Sequence, residues 1–200
     1  MKLTFLGTSA AWPSAQHSNI CFVAHSNEPV LFECGPSILS QMAVTGIEPT
    51  DIRTIIVSHI HGDHSLGIPM FLVASLIADR TRPLTICMPA SAIKPMQQIC
   101  LILHRFMAEY IKKVEWLPLA EQESATLALA GGVRAETTMA DHGGTVCVST
   151  HAFFEPEQRE LAFSGDTGYC ERVAHNASAT SLLIHESNWS LALKTRTGLG

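Results

Sequence analysis

The sequence predicts an α/β fold in which two facing sheets carry helices on their outer faces. Three observations point there. Short apolar, β-branched runs occur in both halves of the chain, helical patterns lie between them, and the middle of the chain reads strand–helix–strand. At 200 residues, 46% hydrophobic and 16% charged, the chain suits one domain with a sizeable core and is too apolar for a disordered segment.

Taken in order, residues 2–6 read as a strand, followed by a loop of small residues over 7–18 that contains Trp12-Pro13. Residues 20–24 and 30–32 read as a hairpin pair with Asn27 near its turn. Residues 33–37 turn into a helix over 38–45, and 46–52 form a second turn. The apolar run 54–57 is a buried strand, 66–78 a helix, and 84–88 the next strand. Residues 91–113 form one or two helices, because Ile93, Met96, Ile99, Cys100, Leu103, Phe106 and Met107 recur at three- and four-residue spacing. Short strands are then expected at 114–117, 125–129, 133–139, 146–149, 161–164 and 181–184, with Gly131-Gly132 as a turn and 155–160 as a charged one. There is no internal repeat, low-complexity segment or linker.

The chain is organised around Ser58-His59-Ile60-His61-Gly62-Asp63-His64, which follows the buried strand and precedes the helix. Side chains alternate faces in an extended segment, so His59 and His61 point the same way. Gly62 permits a turn, which brings Asp63 and His64 back toward the same point. Imidazole and carboxylate are ligands for zinc and similar divalent ions. One zinc seldom takes four ligands from so short a loop. Two adjacent metals, one on His59 and His61 and the other on Asp63 and His64, use them without strain.

At these residues the chain resembles the metallo-β-lactamase-fold superfamily, whose signature is His-x-His-x-Asp-His. The opening Leu3-Thr4-Phe5-Leu6-Gly7-Thr8-Ser9 and the later Leu183-Ile184-His185-Glu186 resemble its ribonuclease Z-like branch more narrowly. The resemblance implies an αββα four-layer sandwich of two facing mixed sheets with outer helices. It also implies a fuller ligand set: His59, His61 and His142 on one metal, Asp63 and His64 on the other, and Asp166 shared. His142 precedes Gly-Gly and Asp166 sits in Ser-Gly-Asp-Thr-Gly, both at strand ends. His185 matches the histidine that protonates the leaving oxygen, and Asp63 orients the attacking hydroxide. Where the superfamily commonly has Asp-x-Gly beneath the metal loop, this chain has Glu33-Cys34-Gly35; Glu33 either supports that loop or is an ordinary strand-end acid. One further family histidine is expected beyond His-Glu, and none follows His185, so either a C-terminal piece is lost from this single domain or the second metal is held more weakly. His104 and Arg105 have no assigned role, and His151 and His175 read as surface or structural histidines.

The chemistry such a site favours is hydrolysis with two divalent ions, zinc first and manganese as the alternative. The resemblance implies a phosphodiester. Its transfer-RNA-processing members carry a long arm between the positions of His142 and Asp166, where this chain has only 23 intervening residues. The net charge of −5 offers no footprint for a long polyanion, so a nucleic-acid partner is disfavoured and a small or cyclic phosphodiester is preferred to transfer-RNA 3′ processing. A thioester or lactone hydrolase and a non-catalytic metal-binding module are the alternatives. The six cysteines form no Cys-x-x-Cys pair and there is no secretory leader, so free thiols in a reducing cytoplasm are expected. The longest apolar run, 68–78, is too short for a membrane span; together with 91–113 it serves the core or a homodimer interface.

Overall fold

A computed structural model of the chain describes residues 1–121 and 124–187. Six strands form the first sheet in sequential order: β1 (Lys2–Gly7), β2 (Cys21–His25), β3 (Val30–Phe32), β4 (Thr54–Ile56), β5 (Thr85–Pro89) and β6 (Glu115–Leu119). The first three run antiparallel as a meander, and β3 to β6 are parallel. The second sheet has the order β11-β10-β9-β8-β7, built from β7 (Ala125–Leu129), β8 (Val133–Met139), β9 (Val148–Phe154), β10 (Arg159–Phe163) and β11 (Leu183–Ile184). It is antiparallel except for the β10–β11 pair.

The alternation of side chains across the first sheet sorts two apolar layers. Cys21, Val23, Leu31, Ile55 and Ile86 point outward and pack beneath α1 (Ile38–Thr45), α3 (Ile68–Ile77) and α4 (Ala90–Leu103). Phe22, Ala24, Phe32, Ile56 and Cys87 point inward and meet Val148, Ala152, Phe154, Leu161 and Phe163 of the second sheet. Phe22 stacks on Phe32 at 4.7 Å, and Phe163 meets both rings edge-on. On the outer side of the second sheet, α6 (Glu171–Ala177) lays Val173 against Ala140 and Cys147. These layers are the expected four-layer αββα sandwich.

The helix expected over 66–78 is present as α3, and a separate helical turn that was not expected, α2 (Gly62–Ser65), precedes it and is parted from it at Gly67. A Cβ on Gly67 would lie 2.2 Å from the Gly35 carbonyl oxygen, so close backbone contact sets the break, and Pro69 starts the new helix. Strand β9 does not stop at 149 but continues to Phe154, paired residue by residue with both neighbours. Helix α6 was not expected at all, because it buries a single apolar residue and so has no periodic stripe to read. The 91–113 region is α4, a 3₁₀ turn and the short α5 (Ala108–Ile111). All six cysteines are free thiols. Among the described residues no helix is long and apolar enough to cross a membrane.

Candidate metal centre

The centre forms where three loop segments meet at one edge of the sandwich. The segment after β4 is fixed first. Its backbone N–H at Val57 donates to the Cys87 carbonyl, and the Ser58 carbonyl accepts from Val148 N–H of the opposite sheet at 3.0 Å. His59 and His61 then point to one side, with ring centroids 4.6 Å apart. The chain coils into α2, whose first turn is closed by the His61 carbonyl accepting from His64 and Ser65. A Cβ on Gly35 would sit 2.1 Å from the Asp63 carbonyl oxygen, so only glycine allows the β3–α1 loop to pass beneath this turn.

The second sheet brings the remaining groups. His142 follows β8, and its ring centroid is 4.8 Å from that of His59 and 5.0 Å from that of His61. Asp166 follows β10. The preceding Gly165 adopts φ +61°, and a Cβ there would come 2.8 Å from Ser58 Cβ, so this loop can close on the histidine motif only with glycine.

Two donor groups result, each with ligand atoms within 4.8 Å of one another: His59, His61 and His142, and His59, His64 and Asp166. His59 belongs to both. Asp63 flanks the second group, with Oδ2 3.2 Å from His64 Nε2, and Asp166 Oδ1 is 3.4 Å from the same nitrogen. Asp166 Oδ2 lies 4.0 Å from His142 Nε2, so its carboxylate spans the two groups. All six residues singled out as ligands are therefore close together.

The donor set fits divalent cations on an observation of its own. His59 Nδ1 is engaged by Ser58 Oγ at 2.9 Å, which leaves the buried Nε2 without a partner. A fully buried imidazole nitrogen that faces other donors needs a cation or a hydrogen bond, and among the described residues it has neither. Burial, and then the neighbouring His64, push the His59 value down to about 3, so this ring is neutral and ready to ligate. His64 is the reverse. Burial opposes its charge, but Glu33, Asp166 and Asp63 outweigh that and push it up to about 12. These three carboxylates therefore favour the protonated form of His64. The same His64 proton holds Asp63 and Asp166 below the usual carboxylate range, although burial works the other way for both.

Glu33 supports the loop. It is fully buried with φ +63°, accepts Ser58 N–H at 3.3 Å on each oxygen, and lies 3.4 Å from His64 Nδ1. The last contact is within ion-pair reach but off hydrogen-bond alignment. Sequence reasoning gave Ser58 and Thr145 no role, yet Ser58 holds His59 Nδ1 and Thr145 Oγ1 lies 3.2 Å from His61 Nε2. Hydroxyl residues one and three positions from a ligand histidine were the available signal. Cys147 Sγ sits 3.7 Å from His59 Nδ1, and burial pushes its thiol up to about 12.

His185 is exposed and lines one cleft with His142 and Asp166. Its Nδ1 faces the Glu186 carbonyl oxygen at 2.8 Å. A carbonyl only accepts, so Nδ1 carries hydrogen and Nε2 is left for the cleft. Glu186 accepts the Thr167 N–H, and burial raises its carboxyl. His151 pairs with Glu160 at 3.5 Å on the second sheet, and His175 lies on α6, both away from these donor groups.

A sequence profile described as anti-Pycsar protein Apyc1 matches residues 1–196. The chain belongs to this family. The chain is also 41% identical over 101 residues to a ribonuclease Z of Methanococcus maripaludis, an alignment covering 50% of this chain and 32% of that protein. It thus spans about a third of the length of that curated relative. Among solved structures, the short form of human tRNase Z superposes with a TM-score of 0.78 at 21% identity, covering 99% of this chain and 82% of that one. The metallo-β-lactamase-fold protein YhfI from Bacillus subtilis superposes with a TM-score of 0.76 at 19% identity, covering 94% and 70%. At these identities the structures establish the metallo-β-lactamase fold, and the curated relatives of the chain point to the ribonuclease Z-like branch.

Proposed function

We propose that the chain is a metal-dependent hydrolase that cleaves a small phosphodiester at a dinuclear centre. The observation that carries this reading is the pair of donor groups sharing His59, with a buried ring nitrogen left unsatisfied between them. His59, His61 and His142 would hold one cation; His64 and Asp63 would hold the other, with Asp166 available to both. Two such ions, zinc or manganese, would supply Lewis acidity and a lowered pKa for water at neutral pH. The side chains do the remainder. Asp63 accepts a hydrogen bond from the attacking water and orients it. His185, its Nδ1–H held by a carbonyl, acts in its imidazolium form and hands the Nε2 proton to the departing oxygen, which leaves the neutral Nδ1–H ring. Glu33 keeps His64 from turning.

Two observations favour a small substrate. The interval between His142 and Asp166 is consumed by β9, a tight turn and β10, which leaves no arm to grip a folded RNA. Among the described residues no lysine or arginine lines the two clefts around His185, so a phosphate there would rely on the cations. The apolar layer shared by both sheets supports treating the described residues as one domain.

The test is to reconstitute the protein with zinc or manganese and assay bis(p-nitrophenyl) phosphate, S-lactoylglutathione and a precursor transfer RNA in parallel. Two bound equivalents and chelator-sensitive cleavage of the first compound alone is the expected result. Preferential thioester cleavage would move the assignment to a thioesterase, and RNA processing would overturn the small-substrate preference. No bound metal would turn the reading to a non-catalytic module.

A further inference from the structure

The hairpin tip between β8 and β9 carries a second polar group besides His142. Ala140 N–H donates to the Cys147 carbonyl at 2.9 Å and closes the neck of the tip. Thr145 N–H donates to the His142 carbonyl at 3.0 Å and closes its turn. The two residues between them, Gly143 and Gly144, lie at φ +53° and +90°, a pair of conformations that suits glycine. The turn thus returns Thr145 to the side of His142, and both reach the His61 ring. His142 Nε2 is 3.1 Å from His61 Nδ1, and Thr145 Oγ1 is 3.2 Å from His61 Nε2. Among the described residues Thr145 Oγ1 makes no other hydrogen bond. A β-branched side chain on a closed turn has few rotamers to choose from, so the hydroxyl is held where it stands.

A neutral imidazole carries hydrogen on one nitrogen and a lone pair on the other, and the partner of the N–H decides which is which. His61 Nδ1 is the nitrogen that faces His142, so a cation held by both rings needs the lone pair there. The hydrogen then belongs on Nε2, where the Thr145 hydroxyl accepts it. His59 is arranged the other way round. Ser58 Oγ stands behind its Nδ1 at 2.9 Å, and Nε2 is the buried nitrogen left for a cation. Two neighbouring histidines are thus offered through different nitrogens, each with a hydroxyl behind the other one. Without the Thr145 hydroxyl, His61 has a competing arrangement: an Nδ1–H donated to His142 Nε2, which removes the lone pair of both rings from the cation.

We infer that Thr145 is a positioning residue that holds the His61 hydrogen on Nε2 and so keeps Nδ1 open for the outer cation. This rests on the metal-centre reading above and adds to it the group that sets the ligating nitrogen. One hairpin tip then supplies both a ligand, His142, and the hydroxyl that prepares the ligand opposite it. Thr145 acts through His61 and touches neither substrate nor cation.

The test joins long-range proton–nitrogen NMR of isotope-labelled histidine with zinc competition against a chromophoric chelator. In the metal-free wild-type protein the neutral His61 ring should carry its hydrogen on Nε2. Thr145→Val keeps the shape and removes the hydroxyl, so a share of that hydrogen should move to Nδ1. Zinc at the outer group should weaken about 10-fold, the low end of the cost of losing a ligand histidine's partner, because water reaches the exposed ring. Thr145→Ser should restore both readouts, and the inner group should keep its zinc in either variant. An unchanged ring or an unchanged outer affinity in Thr145→Val overturns the assignment. So does an equal loss in Thr145→Ser, which would trace the effect to packing. Should the wild-type chain take up no zinc, the hydrolase reading fails by itself. Thr145 is then judged on the metal-free ring alone, where hydrogen on Nδ1 in the wild type, or no change in Thr145→Val, overturns the assignment and a shift in the variant supports it.

Discussion

The two donor groups share His59 but differ in access and charge. In the outer group His61 is exposed and His142 half-buried, and each ring has a hydrogen-bond neighbour in the other. In the inner group His64 is buried and surrounded by Glu33, Asp63 and Asp166. The outer group is thus an open set of imidazoles, whereas the inner one places an imidazole among three carboxylates that favour its protonated form. The contrast shows that one loop can build two donor groups of unlike charge, provided the opposite sheet delivers an imidazole to one and a carboxylate to the other.

The contrast can be broken most severely at the shared residue. His59→Ala should abolish binding at the outer group and weaken it at the inner one, seen as less than one tightly held metal equivalent by elemental analysis and no measurable hydrolysis. Retention of one tight equivalent would mean that the groups are independent. His185→Ala should leave metal content at two equivalents and lower kcat by about 10²–10⁴-fold, the usual range for a lost proton donor. Glu33→Gln sharpens the comparison, because it touches only the inner group. The affinity for the second equivalent should fall about 10–100-fold while the first is retained, measured by competition with a chromophoric chelator. Equal losses in both would place Glu33 in general stability instead.

The smallest effect is a proton. The His64 value in the metal-free fold, about 12, lies above the ordinary histidine value, so its charge stabilises that fold fully below the unfolded value of about 6.5. That contribution is lost only as pH rises through the folded value. Metal uptake by the inner group near neutral pH must therefore expel this proton, whereas His59, held down at about 3, has none to give. Calorimetry in buffers of different ionisation enthalpy should report about one proton released on filling both groups, and binding should tighten with rising pH. Absence of proton release would show that His64 is already neutral.

Much of this was legible in the residues themselves. The run 59–64 announces a metal site because its donors are dense and its flanks are a strand and a helix. His142 and Asp166 were found only through the family resemblance, since either one in isolation is an unremarkable strand-end residue. Glu33 stayed open, because burial under a neighbouring loop leaves no local mark in sequence. The break at Gly67 was invisible for a related reason: it is set by contact with the carbonyls of Cys34 and Gly35, more than thirty positions away. Helix α6 lacked an apolar stripe, and β9 continued past 149 because both of its neighbours pair with it over residues 150–154.

The main-chain contact of Gly35 with the carbonyl of Asp63 has a consequence for how this architecture tolerates change. The bend that presents the ligands is clamped by peptide groups, which are common to every amino acid, and not by the imidazoles themselves. Exchanging those imidazoles should therefore extinguish turnover while the scaffold keeps its outline. Exchanging Gly35 should do the opposite, sparing each chemical group yet unseating all of them together.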